Sequence, residues 1–309
     1  MLQPRTRVVV ILSTYNGEKY LKELLDSLIA QVGVDLYLLI RDDGSSDSTV
    51  EILNEYSSLY KKTDLLLEDN IGCANSYMRL LRLASSLDFE YDYLAYCDQD
   101  DVWDPDKLQV AANNLKQSKS DLPCMYFSNV QLVDQNLNKI KSHAIEYLFT
   151  FGESLLRNPA TGCTVVINRA LLNKLVSYYP TMVDMHDSWT YRVCLAVGGS
   201  IFFDDKSHIK YRQHDLNVRG GKKGFIRTWS RRYKSFINGN KGTRLETAQN
   251  ILNGYEEFLS YENKIMLLHL INYKNSFRSK LKTLFNSQFR TVKCEGRLAF
   301  IISILLHRY

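Results

Sequence analysis

The chain has 309 residues, enough for one large α/β domain with an appendage and too few for three ordinary domains. Its 45% apolar and 24% charged residues set aside disordered and fibrous classes, and 20 Tyr against 5 Pro fit a well-structured chain. The net charge of +5 conceals an asymmetry. Residues 218–309 carry 18 Lys and Arg against 5 Asp and Glu, whereas the rest carries 21 against 29. A basic C-terminal region of this kind implies contact with an anionic surface, with a solvated helical face as the plainer alternative. The six cysteines show neither CxxC nor zinc spacing, and most sit in apolar runs, which implies reduced thiols in a cytosolic protein. Residues 8–12 are too short an apolar run for a signal peptide, and nothing approaches the ~20 residues of a spanning helix. The apolar run 298–306 reaches at most into a membrane interface.

Four short apolar runs alternate with helical patterns over the first 120 residues. Residues 8–12, 36–40, 65–67 and 93–97 read as buried strands. Residues 20–29, 48–60 and 74–84 read as helices, with a further one starting near Pro105. This order predicts a Rossmann-like, mostly parallel sheet with helices on both faces. Between 121 and 217, strands are expected at 124–133, 162–167, 201–203 and 208–211, and helices at 169–176 and 187–196. From about Gly220 the chain reads as basic and mainly helical, after a flexible joint at 219–224. The expected division is a catalytic domain over 1–218, with a nucleotide-binding half (1–120) and an acceptor-binding half (121–218), followed by a basic helical region over 219–309.

In parallel sheets ligands gather beyond the carboxyl ends of the strands. Here those ends carry Ser13-Thr14-Tyr15-Asn16, Asp42-Asp43 and Asp98-Gln99-Asp100-Asp101. Three crowded carboxylates at 98, 100 and 101 repel one another unless a hard cation such as Mg²⁺ or Mn²⁺ joins them, the other reading being a capped, solvated loop. Asp42 and Asp43 offer acceptors to a ribose or a base, or cap the following helix. Tyr15 offers a ring for stacking. No GxGxxG, GxxxxGK[ST] or GxSxG is present.

The segments VVVILSTYNGEKYLKELLDSLIAQ, LLIRDDGSSDSTVEIL, DNIGCANSY and YLAYCDQDDVWDPDKL together resemble family 2 glycosyltransferases of the GT-A fold, and in particular a bacterial rhamnosyltransferase-like branch that builds surface polysaccharides. The resemblance covers about residues 6–218. It implies that Ser13 and Tyr15 line the nucleotide pocket, that Asp43 holds base or ribose, and that Asp98 lies near ribose or diphosphate. It also implies that Asp100 coordinates Mn²⁺ or Mg²⁺. The HD-type motif His186-Asp187 places the general base at Asp187, and Tyr211-Arg212-Gln213-His214 is similar to an element in which the histidine joins the metal. The QxxRW motif of processive synthases is missing. The implied activity is inverting transfer of a single sugar, L-rhamnose from a dTDP donor or a hexose from a UDP donor. The implied acceptor is a lipid-linked glycan at the inner face of the plasma membrane, with no nucleic acid partner. A sugar nucleotidyltransferase and a non-catalytic nucleotide-sugar-binding module are the competing readings. For Asp187 a plain helix cap, and for His186 and His214 a purely packing role, are the structural alternatives.

Overall fold

The protein is described from a computed structural model, over residues 5–119, 121–140, 146–213, 243–292 and 294–309. Strands β1 (Thr6–Thr14), β2 (Val34–Asp43), β3 (Thr63–Glu68) and β4 (Tyr93–Cys97) alternate with helices α1 (Glu18–Ile29), α2 (Thr49–Leu59) and α3 (Cys73–Ser85). They lie parallel in the order β3-β2-β1-β4. Val8 through Leu12 are fully buried because successive side chains enter opposite layers. Val9 and Ile11 pack with Tyr77, Leu80 and Leu81 of α3. Val8, Val10 and Leu12 pack with Leu21, Leu24, Leu25 and Leu28 of α1. The 3.6-residue spacing of those leucines is what lets one helix face seal that layer.

The second half extends the same sheet. A two-residue strand β5 (Val102–Trp103) precedes α4 (Lys107–Leu115), and β6 (Cys124–Val133) precedes the short α5 (Phe151–Ser154). Then come β7 (Val166–Asn168), α6 (Arg169–Ser177), α7 (His186–Ala196) and β8 (Ser200–Arg212). The full order is β3-β2-β1-β4-β7-β6-β8-β5, with β7 antiparallel to β4 and β6, and β8 parallel to β6. Two expectations are corrected. The strand expected at 162–167 begins with a 3₁₀ turn, Gly162–Thr164, before β7. The two strands expected at 201–203 and 208–211 are one 13-residue strand. Its polar stretch Asp204-Asp205-Lys206 imitates a turn in sequence, but register shifts around Asn129 of β6 absorb it as an irregularity.

Helices α8 (Thr243–Tyr255), α9 (Tyr261–Ile271), α10 (Phe277–Phe285) and α11 (Cys294–Leu305) follow. They share the α3-side core, to which Ala248, Ile251, Tyr255, Leu267, Phe300 and Tyr309 contribute. Buried hydroxyls fasten them: Tyr309 donates to the Leu155 carbonyl at 2.7 Å and Tyr255 to that of Lys174 at 3.1 Å. The expected joint at 219–224 lies outside the described residues. Among those described, no helix is long and apolar enough to cross a membrane, and Cys73, Cys97, Cys124, Cys163 and Cys194 are free thiols.

Where α5 meets the segment after α10, Gly152 leaves no room for a side chain. A Cβ there would lie 2.2 Å from the Gln288 carbonyl oxygen and 2.6 Å from its carbon, both backbone atoms. Gly152→Ala is therefore expected to lower the free energy of unfolding by about 1–3 kcal/mol. Urea denaturation measures this, and an unchanged midpoint would show that the C-terminal helices do not dock there.

Candidate active site

Because β2, β1 and β4 are adjacent and parallel, their carboxyl ends open on one edge. Thr14 stands beside Asp42 in register, and Leu12 beside Cys97. The three motifs read from the sequence thus meet. Gln99 locks two of them: its Oε1 accepts from the Tyr15 N–H at 2.8 Å and its Nε2 donates to the Tyr15 carbonyl at 3.0 Å. The close approach needs Gly17, where a Cβ would sit 2.6 Å from Gln99 Oε1. Asn16, in the left-handed region at φ 47°, accepts from the Ser46 N–H at 2.9 Å and so ties the first loop to the second. The Tyr15 ring remains half exposed at the mouth.

Asp42 and Asp43 are both buried, and they do different work. Asp42 accepts from Thr14 Oγ1 at 2.8 Å, from the Ser45 N–H at 2.8 Å and from Ser45 Oγ at 2.6 Å, closing the turn after β2. Asp43 accepts from Arg41 Nη1 at 2.5 Å and from the Ile71 and Gly72 N–H groups at 2.8 and 2.9 Å. Arg41, itself buried, continues to Glu68 at 2.7 Å and to Ser76 Oγ at 3.0 Å. Ser76 in turn bonds Ser13 Oγ at 2.6 Å. A carboxylate offers about four lone-pair sites, so each aspartate, with three used, retains room for one bond to a ligand. Asp42 and Asp43 are first of all the frame of the pocket wall.

The acidic loop is the most strained part electrostatically. Asp98, Asp101 and Cys163 present ligand atoms within 4.8 Å of one another. Asp101 is fully buried, its Oδ1 accepting from the Arg212 N–H at 3.0 Å, while its Oδ2 makes no hydrogen bond among the described residues. Burial, together with the charges of Asp100 and Asp187, pushes the half-buried Asp98 carboxyl up to about 7. Burial and the charges of Asp100 and Asp98 push Asp101 well above the carboxylate range. Cys163 is pushed well up by burial and by the charges of Asp101 and Asp98, while the two aspartates supply oxygen donors. Such a set fits a hard divalent cation, which removes the repulsion and can share its shell with phosphate oxygens.

Two buried cations surround the loop. Lys107 has its Nζ 3.4 Å over the Trp103 ring and is pushed down to about 8 by burial, an effect that Asp101 and Asp98 oppose. Arg212 donates to the Asp100 carbonyl at 2.9 Å, to that of Gln135 at 2.6 Å and to Glu23 at 2.6 Å. It therefore fixes where β8 ends, one residue before Gln213. His214, expected as a metal ligand, lies outside the described residues.

Asp187 sits in the first turn of α7 and is buried. Its Oδ1 accepts from the Ser188 N–H at 2.6 Å and its Oδ2 from Asn158 Nδ2 at 3.2 Å. These donors and the helix N-terminus favour the anion. Next to it, His186 stacks on Tyr77 with ring centroids 3.7 Å apart, and Tyr77 donates to the Cys97 carbonyl and to Asp98 Oδ1. His186 thus packs between α7 and the acidic loop, close against Gly162, where a Cβ would meet its Nε2 at 3.0 Å. The structure brings Ser13, Tyr15, Asp42, Asp43, Asp98, Asp100 and Asp187 to one edge. Sequence reasoning missed Gln99, Asn158, Tyr77, Gly162, Lys107 and Arg212. Of these, Tyr77, Gln99, Lys107 and Arg212 lie within segments that the sequence already singles out, whereas Asn158 and Gly162 left no local signal.

The sequence and the fold both have known counterparts. Residues 9–178 match the profile described as glycosyl transferase family 2. The dTDP-rhamnosyl transferase RfbG of Shigella flexneri is 27% identical over 233 residues, 71% of this chain and 77% of that protein. The UDP-Glc:alpha-D-GlcNAc-diphosphoundecaprenol beta-1,3-glucosyltransferase WfgD of Escherichia coli is 26% identical, over 87% of this chain and 97% of its own. Among solved structures, Staphylococcus aureus TarS in complex with UDP-GlcNAc superposes with a TM-score of 0.56 at 18% identity, over 98% of this chain and 93% of that one. The mannosyltransferase PcManGT of Pyrobaculum calidifontis, in complex with GDP-Man and Mn²⁺, gives 0.51 at 17% identity, over 99% and 89%. With its profile match covering more than half its length, on a GT-A sheet, the chain belongs to glycosyl transferase family 2 and is a glycosyltransferase.

Proposed function

We propose that this glycosyltransferase moves a single sugar, with inversion, from a nucleoside-diphosphate donor to an acceptor hydroxyl, with Asp187 as the general base. The observation that carries the reading is Asp187 itself: a buried carboxylate on an element separate from the acidic loop, yet close enough for its charge to raise Asp98. A single displacement needs a base on the face opposite the leaving group. Asn158 and the first turn of α7 hold that carboxylate in a fixed direction. Ser13 and Tyr15 would contact the nucleoside, Asp42 and Asp43 would shape its pocket with one bond each to spare, and Asp98 would face ribose or diphosphate. Asp100 and Asp98 would hold Mn²⁺ or Mg²⁺, with His214 a further candidate. Such a cation, when bound, offsets charge on the departing diphosphate.

The donor we favour is dTDP-L-rhamnose or a UDP-hexose, in keeping with the names of the Shigella and Escherichia relatives. The acceptor we favour is a lipid-linked glycan in bacterial polysaccharide synthesis, reached at an anionic membrane surface from the cytoplasmic side. The diphosphoundecaprenol acceptor named for the Escherichia relative supports this reading. A panel of nucleotide sugars, read by release of the nucleoside diphosphate, tests it. Release from no dTDP- or UDP-sugar in the presence of Mn²⁺ would overturn it.

Asp187→Asn keeps the shape of the side chain and removes its capacity to take a proton. Turnover is expected to fall about 10²–10⁴-fold while donor affinity holds within a few-fold. Equal losses of affinity and rate would make Asp187 a structural residue. Asp100→Ala should leave turnover at or near background, and chelation of the wild type should do the same; full activity in EDTA would sink the metal assignment.

The raised Asp98 carboxyl sets a pH dependence. Its folded value of about 7 lies above the ordinary value of 3.8, so the folded state binds the extra proton. The stability contributed by that proton is complete below about pH 4 and is lost as pH rises through 7. Cation binding runs oppositely, since it needs the ionised form. Mn²⁺ affinity measured calorimetrically is expected to rise roughly tenfold from pH 6 to pH 8, with uptake of the ion releasing a proton near pH 6. A flat profile would place the ion away from Asp98.

A further inference from the structure

An amphipathic helix at a protein surface normally turns its apolar stripe to the core. Helix α10 turns Leu284 toward the core but leaves its other apolar residues outside. Its buried positions include Ser279 and Thr283, and Thr283 Oγ1 makes no hydrogen bond among the described residues. Phe277, Leu281 and Phe285, spaced four residues apart and so on one stripe, are 77%, 39% and 79% exposed. Neighbouring α11 repeats the feature. Phe300 and Ile304 enter the core while Leu298, Ile302 and Leu305 are left outside. Lys280 joins the two helices, its Nζ donating to the Leu305 carbonyl at 3.4 Å. Contiguous apolar exposure of this kind marks a contact surface.

The charge around the stripe selects the occupant. Residues 272–309 contain eight Lys and Arg and one acidic residue, Glu295. Arg278 and Lys282 follow Phe277 and Leu281 by one position, so they flank the stripe, and both are exposed. An apolar strip bordered by exposed cations matches the boundary between anionic headgroups and acyl chains, with rings and aliphatic groups below and ammonium and guanidinium groups at the phosphates. Resting on the reading that the acceptor is membrane-borne, we propose that the outward stripe of α10, continued by that of α11, is the surface by which the enzyme seats on an anionic bilayer. Attraction to the headgroups acts only within about 8 Å at physiological salt, so the apolar stripe is needed to hold the contact once made.

The test uses the full chain and vesicles of phosphatidylcholine with or without phosphatidylglycerol. The wild type should co-sediment with the anionic vesicles and be largely released by high salt. A Phe277→Ser, Leu281→Ser, Phe285→Ser variant should lose more than about tenfold in binding. Its thermal melting and its nucleoside diphosphate release from soluble donor should stay unchanged. A second variant, Arg278→Glu with Lys282→Glu, should also bind about tenfold more weakly and lose most of the salt dependence. Undiminished vesicle binding by the triple variant would overturn the face and leave the membrane reading standing. Failure of the wild type to bind would overturn both, while donor turnover, measured separately, would still report on the transferase. A wild-type dimer in solution that the triple variant dissociates would assign the stripe to a second copy of the chain, against the proposal.

Discussion

Four carboxylates, those of the half-buried Asp98 and Asp100 and the buried Asp101 and Asp187, are brought close together at the edge of a sheet. Burial first, and then the neighbouring like charges, raise the carboxyls of Asp98 and Asp101 above their ordinary value. Among the described residues, the buried counter-charges beside the loop are Lys107, whose own charge burial disfavours, and the Arg212 guanidinium, which also bonds Glu23 and backbone carbonyls. Among the described residues the carboxylates of this edge thus outnumber the cations beside them, an imbalance that a bound divalent cation would offset. The rest of the site serves to keep this arrangement from relaxing. Gln99 holds the acidic loop to the first loop, Tyr77 and His186 wedge it against α7, and Arg212 holds it from the far strand.

The first half of the fold was legible because its strands are the simplest signal a sequence carries. All-apolar runs such as residues 8–12 can only be strands sealed on both sides, and the leucines of α1 show which residues seal one of them. Their parallel order then fixes that the polar residues after them share an edge. Less legible was the division of labour among those residues. A carboxylate closing a turn, one bracing an arginine and one facing a ligand look alike in sequence. Asp42 and Asp43 are consumed largely by Ser45, Thr14, Arg41 and the α3 loop, contacts that depend on register between strands. Asp101, fully buried, is the carboxylate that clusters with Asp98, and the spacing of an Asp-x-Asp motif says nothing about which carboxylate the chain folds under. Gly162 and Asn158 were invisible for the same reason: their partners, His186 and Asp187, lie far along the chain.

The C-terminal helices are connected to this chemistry through one element. Helix α7 carries Asp187 in its first turn and is buried along nearly its whole length. Trp189, two residues on, lies with its ring 6.1 Å from that of Tyr255 at the end of α8. Arg192, one turn further, donates to the Ser154 carbonyl at 3.1 Å and to Asp184 at 3.1 Å. Tyr309 reaches the same stretch, at the Leu155 carbonyl. The direction of α7, and hence of the Asp187 carboxylate, is set jointly by the sheet on one side and by the C-terminal helices on the other. A region whose composition reads as an appendage shares in this respect the core that carries α7. Trp189, Arg192 and Asp187 thus belong to one densely packed stretch, in which a change on one side is felt on the other.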